Sequence, residues 1–171
     1  EVLGVLGPSA AGKSTLARVL TGVWPAQIGR VQIDGSDIKN LDRSVIGPAM
    51  GYLPQDIELF SGTVGENISR FGPLESSMVI DAANACGIHG GLLGLTQGYD
   101  TPIGDAGIAL SAGQRQLLGL ARAIYGKPSL IVLDEPSSNL DESGQHNLQL
   151  AIKAMKSWGS AVVVISHQLS V

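Results

Sequence analysis

The first residues with recognisable chemistry form the segment Gly-Pro-Ser-Ala-Ala-Gly-Lys-Ser, from Gly7 to Ser14. It matches the pattern G-x-x-x-x-G-K-[ST], in which glycines let successive backbone N–H groups turn toward one anion. The apolar run from Val2 to Leu6 predicts a buried strand before it, and the pattern from Lys13 to Leu20 predicts a helix after it. That helix would direct its positive dipole end at the same anion. The context favours a loop for the phosphates of a nucleoside triphosphate over a chance glycine-rich turn.

Individual side chains of this loop have predicted roles. Lys13 should reach the β- and γ-phosphates, the Ser14 hydroxyl should ligate Mg²⁺, and Thr15 should add a phosphate contact. The predicted phosphate-binding residues are Gly7, Pro8, Ser9, Ala10, Ala11, Gly12, Lys13, Ser14 and Thr15. By itself the loop predicts the ligand and leaves its purpose open.

Two acidic residues follow a second apolar run. Leu130 to Leu133 is uninterrupted, as in a central parallel strand covered on both faces, and Asp134 and Glu135 come directly after it. The carboxyl end of such a strand faces the ligand crevice. Asp134 is therefore predicted to hold Mg²⁺, directly or through water, and Glu135 to act as general base on the attacking water. A solvated turn before Pro136 is the alternative, and the phosphate loop upstream favours the hydrolase site.

Strand and helix patterns alternate in the flanking parts of the chain. Gly51 to Leu53 and Ala161 to Ile165 predict further buried strands, and Ser143 to Trp158 predicts a helix. This alternation predicts an α/β fold with a mostly parallel sheet.

The middle of the chain is mainly helical in pattern. Predicted helices run from Thr63 to Phe71, from Glu75 to Cys86 and from Leu110 to Tyr125. Gly119 lies inside the last of these and should cost about 1 kcal/mol relative to Ala. The predicted organisation is a single domain over residues 1–171, with a core from residues 1–55 and 127–171 and a mainly helical subdomain at 56–126.

Composition limits the class of protein. The 171 residues are 44% hydrophobic, enough for one domain with a real core. The net charge of −4 argues against a nucleic-acid surface, so no nucleic-acid partner is expected. The single cysteine, Cys86, can form no intramolecular disulfide and is expected to be a small buried apolar residue. No run has the ~20 mainly apolar residues of a membrane span. Because the sequence begins without Met, we expect a fragment of a longer protein.

The segment Leu110-Ser111-Ala112-Gly113-Gln114 resembles the signature motif of ATP-binding cassette (ABC) ATPases, usually written Leu-Ser-Gly-Gly-Gln. Its chemistry is that of a second anion site, since Ser111 offers a hydroxyl and Gly113 allows close backbone approach at a helix N-terminus. By itself, Ser before a helix would be read as a simple cap.

The other parts of the family pattern occur in order. Gln55, after Tyr52-Leu53-Pro54, resembles the glutamine loop that senses Mg²⁺ and the attacking water. Ser138 to Asp141 resembles the D-loop, which crosses to a partner subunit, and His167 resembles the switch histidine that contacts the γ-phosphate. Six elements in order, over nearly the whole chain, carry the resemblance.

The resemblance implies a P-loop NTPase (RecA-like) core with an inserted helical subdomain, which binds ATP and Mg²⁺. It implies catalytic roles for Glu135, His167 and Gln55, and Mg²⁺ ligation by Ser14, Gln55 and Asp134. It also implies a sandwich homodimer in which one copy's ATP meets the other copy's signature motif. The signature residues concerned are Ser111, Ala112, Gly113 and Gln114.

Two segments outside the motifs resemble exporters. Glu58 to Ile68 is similar to the exporter segment that contacts the membrane domain, and the sequence from Gln97 to Gly104 also resembles that of exporters. Ser9-Ala10-Ala11 and Ser138 to Asp141 are similar to the type I secretion branch, which exports proteins. The resemblance implies a transmembrane domain, expected on the same full-length chain, and a location at the cytoplasmic face of the inner membrane.

Departures from the family pattern keep alternatives open. Ala112 replaces the usual first glycine of the signature, and Leu117 stands where the family usually carries Arg. The family's adenine-stacking aromatic would fall before Glu1, so Trp24 and Trp158 are expected to be packing residues. His89 and His146 are expected at the surface. A soluble, non-transport cassette ATPase and a degenerate ATP-binding regulatory partner are the alternatives, and the cargo is not encoded in this segment.

Overall fold

The computed structural model describes residues 1–104 and 110–167. The strands in these ranges are β1 (Val2–Leu6), β2 (Gln32–Ile33), β3 (Ser36–Asp37), β4 (Met50–Leu53), β5 (Gly62–Thr63), β6 (Pro102–Ile103), β7 (Leu130–Asp134) and β8 (Ala161–Ser166). The α-helices are α1 (Lys13–Leu20), α2 (Arg43–Ala49), α3 (Val64–Ile68), α4 (Ser76–Ala85), α5 (His89–Leu93), α6 (Ala112–Ile124) and α7 (Glu142–Ser157).

The central sheet has four parallel strands in the order β1-β8-β7-β4. Its register pairs Leu6 with Ser166, and Leu53 with Leu133. The carboxyl ends of all four strands therefore lie along one edge of the sheet, which we call the carboxyl edge. The phosphate loop, Gln55 and His167 each follow one of these strands, and the acidic pair lies at the end of β7, whose last residue is Asp134. The register therefore brings the predicted motifs to the same edge. The predicted α/β fold is confirmed.

One face of this sheet carries most of the core. Ile131 and Leu133 of β7 and Val162 and Val164 of β8 point to this face. Helices α3, α4, α6 and α7 cover it, and we call it the helical face. Its largest fully buried side chains include Leu53, Ile68, Leu118, Leu120, Ile124, Leu148 and Met155. Burial raises the pKa of the Cys86 thiol, which is fully buried in this core as predicted.

The opposite face is thinly covered. Its buried cluster consists of Ala17 of α1, Val132 of β7 and Ile165 of β8, and we call it the α1 face. Strand β1 pairs with β8 alone among the described strands, and the exposed fractions of Val2, Leu3 and Leu6 are 41%, 58% and 52%. The prediction of a buried β1 is therefore wrong: its residues form an edge strand, because an apolar run predicts a strand but not its neighbours.

Helix boundaries follow local backbone chemistry. Helix α3 ends at Ile68, before the predicted end at Phe71, because Arg70 and Phe71 have left-handed backbones with φ of +58° and +57°. A capping box of Thr63 and Glu66 begins it. Sequence patterns did not predict α2, which contains Pro48, or the glycine-rich α5, because both are short and of low helix propensity. The division into core and helical subdomain remains a prediction.

Two features join β4 to the C-terminal end of α6. Gly51 lies so close to this helix that a Cβ there would collide with the carbonyl oxygen of Ala123. The guanidinium of Arg70 donates hydrogen bonds of 2.8–3.4 Å to five carbonyl oxygens. Those oxygens belong to Gly47, Met50, Arg122, Ala123 and Tyr125. Because the last carbonyls of a helix lack partners within it, Arg70 caps α6 from a distant part of the chain.

The structure corrects two expectations about single residues. A Cβ on Gly119 would lie 2.9 Å from Cγ2 of Ile57 and 3.1 Å from Cδ1 of Leu53, so this glycine allows close packing that Ala would disturb. His89 is half-buried, and its Nδ1 lies 2.8 Å from the Tyr99 hydroxyl, so it is not a simple surface residue. None of the described helices is long and apolar enough to cross a membrane.

Candidate nucleotide site

The phosphate loop has a backbone shaped for an anion. Gly12, the residue before α1, has φ of +85°, and Ala10 has φ of +65°. Left-handed residues separated by a right-handed or extended one turn successive N–H groups inward, which forms an anion-binding nest. The sequence assigned this freedom to both glycines, but Gly7 has no positive φ and Ala10 takes the second left-handed position. A Cβ at Gly12 would meet no atom within 4 Å, so open space surrounds this part of the loop.

Lys13 lies across its own loop. Its Nζ donates hydrogen bonds to the carbonyl oxygens of Gly7, at 2.7 Å, and Pro8, at 3.0 Å. These bonds hold the ammonium group at the mouth of the nest, where it would meet a phosphate. Ser14 and Thr15 follow on the first turn of α1, whose N-terminus faces the same space.

Asp134 is a buried carboxylate that fits a cation site. It is 1% exposed, and neither oxygen has a hydrogen-bond partner of acceptable geometry among the described residues. Burial raises its pKa, the neighbouring Ser14 hydroxyl lowers it, and the Glu135 charge raises it again, while Arg18 and Lys13 lower it. A carboxylate in this setting suits Mg²⁺, because a bound cation would satisfy oxygens that the protein leaves without donors.

The protein would supply only some of the Mg²⁺ ligands. Among the described residues, no three His, Cys, Asp or Glu side chains lie close enough to form a metal cluster. Mg²⁺ is typically bound through one or two carboxylates, with substrate phosphates and water as further ligands. The Ser14 hydroxyl and Asp134 fit that pattern.

Glu135 and His167 meet beside Asp134. With Glu135 ionised, Nδ1–H of His167 donates to its Oε2 across 2.8 Å, although the residues are 32 positions apart. Glu135 is 7% exposed and has a left-handed backbone, with φ of +52°. Its N–H donates to the Ile165 carbonyl at 2.9 Å, and its carbonyl accepts from the Ser138 N–H at 3.2 Å. A non-glycine residue in this conformation is held by its surroundings, and such residues concentrate at functional sites.

The signature motif begins α6 as an ordered cap. The Ser111 hydroxyl accepts from the Gln114 N–H at 3.1 Å, and the Gln114 side chain accepts from the Ser111 N–H at 2.8 Å. Ala112 is the first helical residue and needs no left-handed backbone. A Cβ at Gly113 would lie 3.1 Å from the Asn139 carbonyl oxygen, so signature and D-loop segments touch within one copy.

Gln55 faces the signature helix across a groove. The groove has a volume of about 240 Å³ and its lining includes Gln55, Asp56, Ala112, Arg115 and Asn139. Gln55 is exposed there. The structure thus brings Lys13, Ser14, Asp134, Glu135 and His167 to the carboxyl edge. Of the signature residues, Ala112 lines the groove together with Gln55.

Sequence reasoning missed three residues near the acidic pair, namely Arg18, Tyr52 and Gln116. Burial and the Asp134 charge raise the pKa of Tyr52, whereas Arg18 lowers it, so both residues lie beside Asp134. Arg18 also stacks on the Trp24 ring at 4.6 Å. A third missed residue, Gln116, is 1% exposed on α6. A polar residue within an otherwise apolar helix face was the available signal for Gln116.

Comparison with known proteins identifies the family. A family model described as ABC transporter matches residues 1–138. The chain belongs to the ABC transporter family. The predicted membership of the ABC family is therefore confirmed.

Several ABC relatives match over nearly the whole chain. The type I secretion system ATP-binding protein PrsD of Rhizobium meliloti is 50% identical over 169 residues, which are 98% of this chain and 29% of PrsD. The cyclolysin secretion/processing ATP-binding protein CyaB of Bordetella pertussis is 40% identical over 171 residues, covering 99% of this chain and 24% of CyaB. The chain thus spans less than a third of either relative.

A solved structure supports the same fold. The structure of a bacterial Atm1-family ABC exporter with ATP bound superposes with a TM-score of 0.87 at 34% identity. The match covers 99% of this chain and 30% of that one. This confirms the predicted P-loop NTPase fold class.

Proposed function

We propose that this chain binds Mg²⁺-ATP at its carboxyl edge and hydrolyses it, with Glu135 as the general base. The observation that carries the proposal is the 2.8 Å contact between Glu135 and His167, next to the buried Asp134. Glu135 would take the proton of the attacking water as that water's oxygen bonds to the γ-phosphorus. The bond from the γ-phosphorus to the β–γ bridging oxygen would break, which releases ADP and phosphate.

The remaining site residues would bind and orient the nucleotide. The loop from Gly7 to Thr15 would hold the phosphates, and Ser14, Gln55 and Asp134 would hold Mg²⁺. The ion, when bound, supplies charge neutralisation of the phosphates. His167 would hold the Glu135 carboxylate in place, and its proximity to that carboxylate supports this role.

The general base can be tested by Glu135→Gln, which keeps the shape of the side chain and removes its basicity. We expect ATP affinity to be retained and turnover to fall at least ~10²-fold. The measurements are phosphate release and equilibrium binding of a fluorescent ATP analogue. Glu75→Gln, at an exposed carboxylate before α4, serves as the matched control and should leave turnover unchanged. Unchanged turnover of Glu135→Gln would remove Glu135 from the base role.

We further propose that two copies form a sandwich homodimer around ATP. Ser111, Ala112, Gly113 and Gln114 of one copy would then contact the nucleotide held by the other. The ordered cap at Ser111 and the helical backbone of Ala112 support a competent signature despite the alanine. Loss of the γ-phosphate would release the two halves, which is a two-state element that a ligand biases.

The dimer makes a kinetic prediction, because one copy holds half of each composite site. Specific ATPase activity should rise with protein concentration and then reach a plateau once dimerisation is complete. The measurement is phosphate release over a wide dilution series at saturating ATP. Specific activity that stays constant down to concentrations at which sedimentation detects monomers would contradict the composite site.

Export is the proposed purpose of the ATPase. The names of PrsD and CyaB connect those relatives to secretion, and the superposed structure is an exporter. Exposed Phe60, Phe71, Leu74 and Met78 lie in and after the exporter-like segment, where a membrane domain would dock. We propose protein or peptide secretion, with the transmembrane domain on the same full-length chain and this domain at the cytoplasmic face of the inner membrane.

Phe60→Ser in the full-length protein should reduce secretion more than ATPase activity.

A further inference from the structure

Gln116 has a buried side chain that joins the signature helix to the acidic pair. It lies in the second turn of α6 and is 1% exposed. Its Nε2 donates to the carbonyl oxygens of Pro136, at 3.1 Å, and Glu135, at 3.4 Å. Its Oε1 accepts from the Asn139 side-chain amide at 3.3 Å. One side chain therefore contacts the backbone of the proposed base and the D-loop segment from within α6.

Two of these bonds hold the backbone at and just after Glu135, which has an unfavourable conformation. Glu135 has a left-handed backbone, which a residue with a Cβ adopts only when its surroundings impose it. Its N–H is held by Ile165 of β8. Its carbonyl, on the other side of the same residue, receives the bond from Gln116. The same carbonyl also accepts from the Ser138 N–H at 3.2 Å. Together these partners hold the peptide groups that flank the Glu135 Cα and so help to set the direction of its side chain.

We propose that Gln116 is the positioning residue that keeps the Glu135 carboxylate aimed at the attacking water. It acts through the backbone of Glu135 and does not touch the nucleotide. Because it belongs to α6, it also ties the orientation of the base to the position of the signature helix in the same copy. This inference rests on the proposed role of Glu135.

Two substitutions remove the donor in different ways. Gln116→Glu keeps the size of the side chain and removes its amide donor, whereas Gln116→Met removes donor and acceptor and keeps the length. Gln149→Met makes the same change at an exposed position of α7 and is the matched control. Thermal unfolding and circular dichroism establish which variants are folded, and kinetics are compared among those.

A positioning role predicts a particular division between kinetic constants. Both Gln116 variants should lower kcat about 10-fold and change KM for ATP less than about 2-fold, because the phosphate loop is untouched. Gln149→Met should leave both constants unchanged. A folded Gln116 variant with normal kcat, or one that loses ATP affinity in proportion to kcat, would overturn the proposal.

A double mutant separates this inference from the function on which it rests. If Gln116 acts through Glu135, adding Gln116→Met to Glu135→Gln should lower the residual rate less than about 2-fold further. A full additional 10-fold loss would mean that Gln116 acts independently of Glu135, which overturns the inference alone. If Glu135→Gln by itself leaves turnover intact, the proposed base fails whatever Gln116 does.

Discussion

The two faces of the central sheet differ in how they are covered. Four helices pack on the helical face, where α6 alone buries Leu118, Leu120 and Ile124. On the α1 face a single helix contributes one fully buried residue, Ala17. The phosphate loop belongs to the α1 face and the signature helix to the helical face. The larger buried core and the predicted phosphate loop therefore lie on different faces, as we expect where a binding segment must adapt to its ligand.

The largest expected effect is a cavity on the helical face. Leu118→Ala should lower the free energy of unfolding by about 2–5 kcal/mol, because Leu118 is 2% exposed among α6 and its neighbours. Leu16→Ala on α1 is the matched change on the other face, where the leucine is 41% exposed, and should cost less than about 1 kcal/mol. Urea unfolding measures both. Equal losses of unfolding free energy would show that the two faces contribute equally to stability, which would contradict the comparison.

The next effect concerns Arg70, which connects β4 to the C-terminal end of α6. Arg70→Met keeps much of the length of the side chain and removes the donors to five carbonyl oxygens. We expect a loss of about 2–3 kcal/mol in the free energy of unfolding, since the end of α6 loses its cap. Arg43→Met removes a single bond, to the Gly22 carbonyl, and should cost less than about 1 kcal/mol. If the two variants unfold at the same urea concentration, the hydrogen bonds of Arg70 do not stabilise the end of α6 as we expect.

The smallest effect compares two helical glycines. Gly119→Ala should destabilise the protein by about 1 kcal/mol, because the new methyl group would crowd Ile57 and Leu53 by more than the gain in helix propensity. Gly90→Ala on α5 should stabilise it by about 0.5–1 kcal/mol, because a Cβ there meets no atom within 4 Å. Thermal unfolding of the two variants should shift in opposite directions. Stabilisation by Gly119→Ala would mean that Ile57 moves aside at no cost.

Prediction from sequence succeeded where the signal is local. Helix α1 has the predicted bounds, Lys13–Leu20, because a loop with a special backbone precedes it and Gly22 follows its end. Helix α6, predicted from Leu110 to Tyr125, runs from Ala112 to Ile124 after a capping box of Ser111 and Gln114. The acidic pair lies at the end of β7 as expected, with Asp134 as its last residue and Glu135 directly after it, because the apolar run ends there.

Prediction failed where a neighbour decides the outcome. An apolar run such as Val2–Leu6 is equally suited to the centre or the edge of a sheet, and only strand order places β1 at the edge. The cost assigned to Gly119 came from helix propensity alone, which takes no account of Ile57 and Leu53 packed against this glycine. The partners of Arg70 and Gln116 cannot be read from a local pattern, since they lie 19 to 55 positions away.

The sequence by itself determined which groups this chain carries: a phosphate-loop motif, two adjacent acidic residues after an apolar run, and the order of motifs that marks the ABC family. Each depends on residue types that are close together in the sequence, so each can be recognised without knowledge of the fold. Tertiary structure decided which of these groups meet. The register of four parallel strands brings His167 to Glu135, and a helix packed on the sheet brings Gln116 to the same backbone. Such contacts depend on long-range packing, in which many sequences could satisfy the same local pattern and only the assembled fold selects the partners.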